Sequence, residues 1–175
     1  MRRNRFLLVA ALASATWLFA KTVADYDHSV SFSKYHTYSW SGLNVQDSLW
    51  KDRVTKAIDT QLSAKGWSKV ASGGDASVVA VGSTRIDQTI DTWYEGGFGG
   101  GWRHQGWGGP GFATTTVERT PVGTLHVDIF DANTKKVIWH GSVDDTLTGD
   151  PEKNEKKLEK ALAELFKKFP PPEKG

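Results

Sequence analysis

Hydrophobic residues recur along this chain at two periods, and the switch between them lays out the elements. From Gly123 to Gly141 (GTLHVDIFDANTKKVIWHG), two runs rich in β-branched and aromatic residues flank the polar turn Asp131-Ala-Asn-Thr-Lys135. Asn and Asp tolerate the tight backbone conformations of hairpin loops, so the stretch predicts a β-hairpin. Alternation puts Leu125, Val127 and Ile129 on one face and His126, Asp128 and Phe130 on the other. With a loop of three or five residues, Val127 is expected to face Trp139 on the core side and His126 to face His140 on the opposite side. A four-residue loop shifts the register by one and separates them.

Two segments carry the helical period instead. Trp50, Val54, Ile58 and Leu62 recur every four residues with Ala57 beside them, which predicts an amphipathic helix over 45–65. Asn44 is the expected cap, Asp47 its third helical position and Gly66 its terminator. Near the C-terminus, Asp150-Pro151 is a cap followed by a proline at the first helical position, and Leu158, Ala161, Leu162, Leu165, Phe166 and Phe169 share one face before Pro170-Pro-Pro172. Strands are expected at 35–40, at 67–70 after which Ser72-Gly-Gly-Asp75 turns, and at 77–94, where the apolar Val78-Val-Ala-Val81 gives way to a half-polar run. Apolar helix stripes need a sheet to cover, so the predicted fold class is α+β: a single domain with an antiparallel β-sheet and two helices packed on one face.

The N-terminus follows neither period. Met1-Arg-Arg-Asn-Arg5 is basic, and the apolar run from Phe6 to Ala20 is short for a membrane span, which needs about 20 residues. This is the pattern of a secretory signal, assigned to residues 1–24. Small residues permit cleavage after Ala15, Ala20 or Ala24; a cut after Ala20 or Ala24 is preferred, and retention as an anchor is the alternative. The domain then covers residues 25–171. Of the 22 basic and 20 acidic residues, Arg2, Arg3, Arg5 and Lys21 lie within 1–24, leaving 18 basic against 20 acidic. A formal charge of −2 removes the basic surface that a nucleic-acid partner requires. With no cysteine, disulfides, thiol catalysis, thiolate zinc sites and diacylglyceryl anchoring are all excluded.

Composition shifts at 95–113, where glycines alternate with Phe98, Trp102, His104, Trp107 and Phe112. Ordering some 18 residues costs on the order of 18–36 kcal/mol, more than a few aromatics return at about 1.5–3 kcal/mol each. A flexible loop is expected, with Phe98, Trp102, His104 and Trp107 as candidate contacts to a membrane surface, a glycan or an envelope protein. It is not a nucleotide loop, since neither a Lys-Ser/Thr pair nor a helix start follows the glycines. On the hairpin, His126, Asp128 and His140 are a candidate metal-binding or proton-sharing group; exposed polar surface is the plainer reading. No serine lies in a Gly-x-Ser-x-Gly elbow, and Asp144-Asp145 and Asp25/Asp27 read as turn or edge residues.

Three segments together resemble a known family. Asp25-Tyr-Asp27 leading to Phe32-Ser-Lys-Tyr35 and Thr37-Tyr-Ser-Trp40, then Ala64-Lys-Gly-Trp67, then Gly123-Thr-Leu125 through Asp131-Ala132 to Trp139-His-Gly141 are similar to the bacterial envelope family called domain of unknown function 4136. Phe169-Pro-Pro171 and the glycine-aromatic insertion fit it too. The resemblance implies a signal-bearing envelope protein, often a lipoprotein, with no assigned activity, catalytic residue or cofactor. Leu12-Ala-Ser-Ala15 resembles a lipobox with Ala15 where the lipidated cysteine would stand, which favours a soluble periplasmic form. The expectation is an exported periplasmic binding or scaffolding module. A membrane-associated protein held by an uncleaved N-terminal segment and the Trp-rich loop is the second reading, and a hydrolase or metal-dependent enzyme the third.

Overall fold

The structure, a computed structural model, describes residues 20–95 and 112–171. It is a six-stranded sheet with two helices on one face. The elements in chain order are β1 (Lys21–Tyr26), a 3-10 turn (Phe32–Lys34), β2 (Thr37–Asn44), α1 (Ser48–Ala64), β3 (Ser68–Lys69), β4 (Ala76–Glu95), β5 (Phe112–Asp131), β6 (Val137–Thr146) and α2 (Pro151–Phe166). The strand order is β1-β6-β5-β4-β2-β3.

The α+β class holds, with one correction: the sheet is mixed. β1, β6, β5 and β4 are antiparallel, but β2 runs parallel to both β3 and β4. The reason is α1, whose 17 residues carry the chain across the sheet and return it at the same end from which β2 started. Such a crossover permits parallel pairing, which a tight turn does not.

The predicted helices form with shifted edges. Asp47 rather than Asn44 caps α1, its carboxylate accepting the Leu49 N–H at 2.8 Å. Gly66 follows the helix with φ +83°, the left-handed conformation that glycine adopts without a steric penalty. α2 begins as expected, with the Asp150 carboxylate accepting from Glu152 and Lys153 N–H groups. The apolar stripes of both helices meet the sheet: Ile58, Leu62, Leu162, Leu165, Phe166 and Phe169 are completely buried against Val78, Val127, Ile129 and Trp139. Trp139 packs beside Phe166 and Phe169, with ring centroids 5.2 and 5.3 Å away, and its buried Nε1 has no hydrogen-bond partner.

β1 is not among the predicted strands, because Thr22–Ala24 has the small residues of a signal-cleavage region. It pairs along its whole length with β6, from Lys21 opposite Asp144 to Tyr26 opposite Trp139. The strand predicted at 35–40 begins later, at Thr37, since the 3-10 turn seats Phe32 and Tyr35 in the core first. β4 and β5 pair over 20 residues each and run well past the rest of the sheet, so Glu95, Phe112 and Ala113 belong to strands rather than to the expected loop. The rest of that loop lies outside the described residues.

Candidate functional site

Strand register settles where the hairpin residues go. Ile129 faces Trp139, Val127 faces Gly141 and Asp128 faces His140, so His126 lies opposite Ser142 and not opposite His140 as expected. The turn sits one residue later than the sequence suggested because the Asp131 carboxylate accepts the N–H groups of Asn133 and Thr134, and a bulge follows Ile129. A one-residue move of the turn centre changes partners by two, which preserves faces. His126, Asp128 and His140 therefore share the open face, away from the helices.

There Nδ1 of His140 donates to Asp128 Oδ1 at 2.5 Å, and the His126 ring stacks on the His140 ring with centroids 5.8 Å apart. This is a carboxylate-oriented imidazole with a second ring lying over it. Among the described residues no group of three His, Asp or Glu side chains converges to hold a metal ion, and the trio is a bonded pair plus a stacked neighbour. Among the described residues, no serine or threonine hydroxyl hydrogen-bonds the His140 ring. Phe98, Trp102, His104 and Trp107 lie outside the described residues.

A different site emerges on the helix side. Where α1 and α2 both begin, they stand apart from the sheet, and a cavity of about 400 Å³ opens between them. Its floor is apolar and buried: Val54, Leu125, Val143 and Ala161 are each under a tenth exposed. Trp50 and Leu158 form its half-open walls, and the base of the β4–β5 ribbon, at Thr84 and Pro121, borders its mouth. The rim is polar. The Lys157 ammonium donates to the Thr146 carbonyl at 2.7 Å and pairs with Asp145 at 3.2 Å. Across the two helices Arg53 bonds Glu155 at 3.0 Å while lying over the Trp50 ring, 5.0 Å from its centroid.

Asn154 holds this end in shape. Its side-chain oxygen accepts from the N–H and hydroxyl of Thr148, and its amide donates to the Thr148 carbonyl. The β6–α2 connection is thereby fixed as the near wall. Sequence reasoning named Trp50, Val54, Leu125, Leu158 and Ala161 as core, and nothing in their period shows that the core is incomplete at one end. The only hint is Trp50, a large residue in the first turn of the predicted stripe, beside polar Gln46 and Asp47.

The sequence model described as domain of unknown function (DUF4136) matches residues 22–171. The chain belongs to that family. The match begins within β1, so the DUF4136 domain includes nearly all of that strand. No curated protein sequence matches this DUF4136 chain. Among solved structures it is similar to a PDZ domain protein from Parabacteroides distasonis, with a TM-score of 0.53 and 13% identity over 89% of this chain and 36% of that one. The DUF4136 chain thus spans about a third of that protein's length, and at this identity the likeness concerns the fold alone. It is also similar to the PelC dodecamer from Paraburkholderia phytofirmans (TM-score 0.49, 11% identity, 84% of this chain and 94% of that one). A minor lipoprotein from Acinetobacter baumannii is more distant (TM-score 0.38, 11% identity, 77% and 92% covered). Among the described residues, no helix is long and apolar enough to cross a membrane.

Proposed function

We propose that this DUF4136 protein is an exported, periplasmic binding module of the cell envelope, and that the cavity between the helix starts and the sheet is where it binds. The cavity carries this reading: about 400 Å³ falls within the roughly 300–1,000 Å³ usual for ligand sites, and a buried apolar floor under a polar rim is their usual make-up. The test is binding of a neutral apolar probe, N-phenyl-1-naphthylamine, to the purified protein. Saturable fluorescence enhancement at one site is expected; none at any concentration would sink the proposal.

Export fits the basic head and apolar run of residues 1–20, and the pairing of β1 favours the earlier of the two cleavage points. A cut after Ala24 would remove four of the six residues that pair with β6 and expose the Tyr26 side of the core. A cut after Ala20 leaves the strand whole. The intact mass of the periplasmic protein should therefore correspond to a chain beginning at Lys21.

The second reading, a membrane-associated form held by an uncleaved N-terminal segment and the Trp-rich loop, draws support from the ribbon. Ile86, Ile90 and Val117 lie on one of its faces and are each about half exposed or more. Full-length protein sedimenting with membranes would favour this form over the soluble one.

A further inference from the structure

β1 forms one edge of the sheet. Its side chains alternate: Thr22, Ala24 and Tyr26 turn toward the core and are half-buried, whereas Lys21, Val23 and Asp25 lie on the open face and are exposed. The opposite edge is blunted, since β3 is two residues long. β1 is six residues long and pairs with β6 without a register shift.

The ladder fixes which backbone groups of β1 remain unpaired. Asp27 N–H donates to the Ile138 carbonyl at 3.0 Å, and in an antiparallel pair such inward-bonding residues alternate. Asp25, Val23 and Lys21 therefore direct their backbone groups toward β6, while those of Tyr26, Ala24 and Thr22 point out of the sheet edge. The Tyr26 N–H agrees with this, donating to the Asp25 carboxylate at 2.8 Å rather than to a neighbouring strand. Thr22 and Ala24 are left with outward N–H and C=O groups that no described residue bonds.

These two residues lie symmetrically about Val23, and so do the charges on the exposed side. If a second copy pairs antiparallel about Val23, Thr22 of each chain exchanges hydrogen bonds with Ala24 of the other. Val23, 49% exposed in the single chain, meets its own copy at the axis, and each Lys21 stands opposite an Asp25. Both charged groups are available. Lys21 makes no ion pair with a described residue, because Asp144 across from it on β6 is engaged by Arg85 at 3.6 Å and by the Thr124 hydroxyl at 2.7 Å. Asp25 uses Oδ1 on the Tyr26 N–H, and its Oδ2 has no partner among the described residues. A shift of two residues, the smallest that keeps the same groups facing outward, would set Val23 against Lys21 or Asp25 instead.

We infer that the protein self-associates through β1, a second copy adding its own β1 antiparallel about Val23 so that two six-stranded sheets join into one. A lysine on an edge strand ordinarily discourages a further strand; here Asp25 supplies its match, and only when the added strand is this one in reverse. The arrangement needs β1, so it applies to a chain that retains Lys21, and intact mass establishes that before association is measured.

Sedimentation velocity over a dilution series should show a monomer–dimer equilibrium. Asp25→Lys, which sets lysine against lysine in both pairs, should raise the dimer dissociation constant about tenfold or more. Adding Lys21→Asp, which recreates the opposite charges in reverse, should restore association. Because the chain has no cysteine, single cysteine substitutions report the register. Val23→Cys should cross-link to its copy under mild oxidation, since facing Cα atoms in such a pair lie about 4.5 Å apart, within the disulfide range. Lys21→Cys by itself should not, because its copy would lie roughly 13 Å away along the strand. A protein that stays monomeric at every concentration leaves this edge to a different partner and overturns the inference. A dimer indifferent to Asp25→Lys, or one that cross-links through Lys21→Cys and not through Val23→Cys, uses another surface or register and overturns it as well.

Discussion

Asp131 closes the β5–β6 turn and ties it to the start of the domain. Its carboxylate accepts from the Thr134 and Asn133 N–H groups, from the buried Tyr35 hydroxyl at 2.7 Å and from Lys34 at 3.4 Å. The Thr134 N–H and the Tyr35 hydroxyl, aided by Asn133 and Lys34, hold this carboxyl well below the ordinary carboxylate range. A depressed folded value means that its contribution to stability is complete above the unfolded value of about 3.9 and is lost as pH falls below that toward the folded one. Asp131→Asn should therefore melt lower than wild type by a constant margin near neutrality, and the margin should shrink as pH drops below about 4 in thermal melts. Asp59 plays a comparable part on α1, accepting from Tyr38 at 2.7 Å, Trp40 Nε1 at 2.9 Å and Lys69 at 2.9 Å. Tyr38 is buried, so Asp59→Ala strands its hydroxyl, and urea unfolding should show a loss of about 1–3 kcal/mol. The bonds from Tyr35 to Asp131 and from Tyr38 to Asp59 are not readable from sequence, since these partners lie 96 and 21 residues apart.

Among the elements, β6 shows most directly how local sequence fits a packing demand. Trp139 and Gly141 are two apart on the core face, and the indole lies over the glycine. A Cβ at Gly141 would collide with the Trp139 ring and come within 2.9 Å of Leu165. Gly141→Ala is expected to destabilise by about 1–3 kcal/mol through overpacking, measured by denaturant titration, and the core aromatic resonances in NMR spectra should shift with it. That glycine makes physical sense of the Trp-His-Gly run: the tryptophan fills the core and the glycine makes room for it. β1 is the opposite case. Its pattern, Lys21-Thr-Val-Ala-Asp-Tyr26, has small residues on the inner side, Thr22 and Ala24, and reads as a cleavage region; pairing with β6 makes it a strand. An N-terminus at Lys21 is the prediction at this scale, and mass spectrometry of the mature protein checks it.

For the whole molecule, the decisive feature is that the two helices cover the sheet fully at one end and incompletely at the other. Phe32, Tyr35, Trp67, Phe166 and Phe169 close the far end with interlocking rings. At the helix starts the fill is Val, Leu and Ala, and the gap remains as the cavity. Narrowing it by Ala161→Leu should reduce N-phenyl-1-naphthylamine binding about tenfold or more in fluorescence titration, with thermal stability kept or raised if the cavity accommodates the larger side chain.

The sequence by itself determined the α+β class, the two helices and their buried stripes, the hairpin and which of its side chains share a face. These are local or periodic properties: a two-residue or 3.6-residue repeat fixes which side is apolar, and caps such as Asp150-Pro151 act within one turn. Tertiary structure alone decided the parallel placement of β2, the partner of Asp128, the recruitment of β1 and the cavity. Each depends on where distant segments meet, and strand pairing and packing volume are set by that meeting rather than by any residue's neighbours in the chain. A periodic stripe shows that a helix will be buried, but only the assembled layers show how much of the space beneath it is filled.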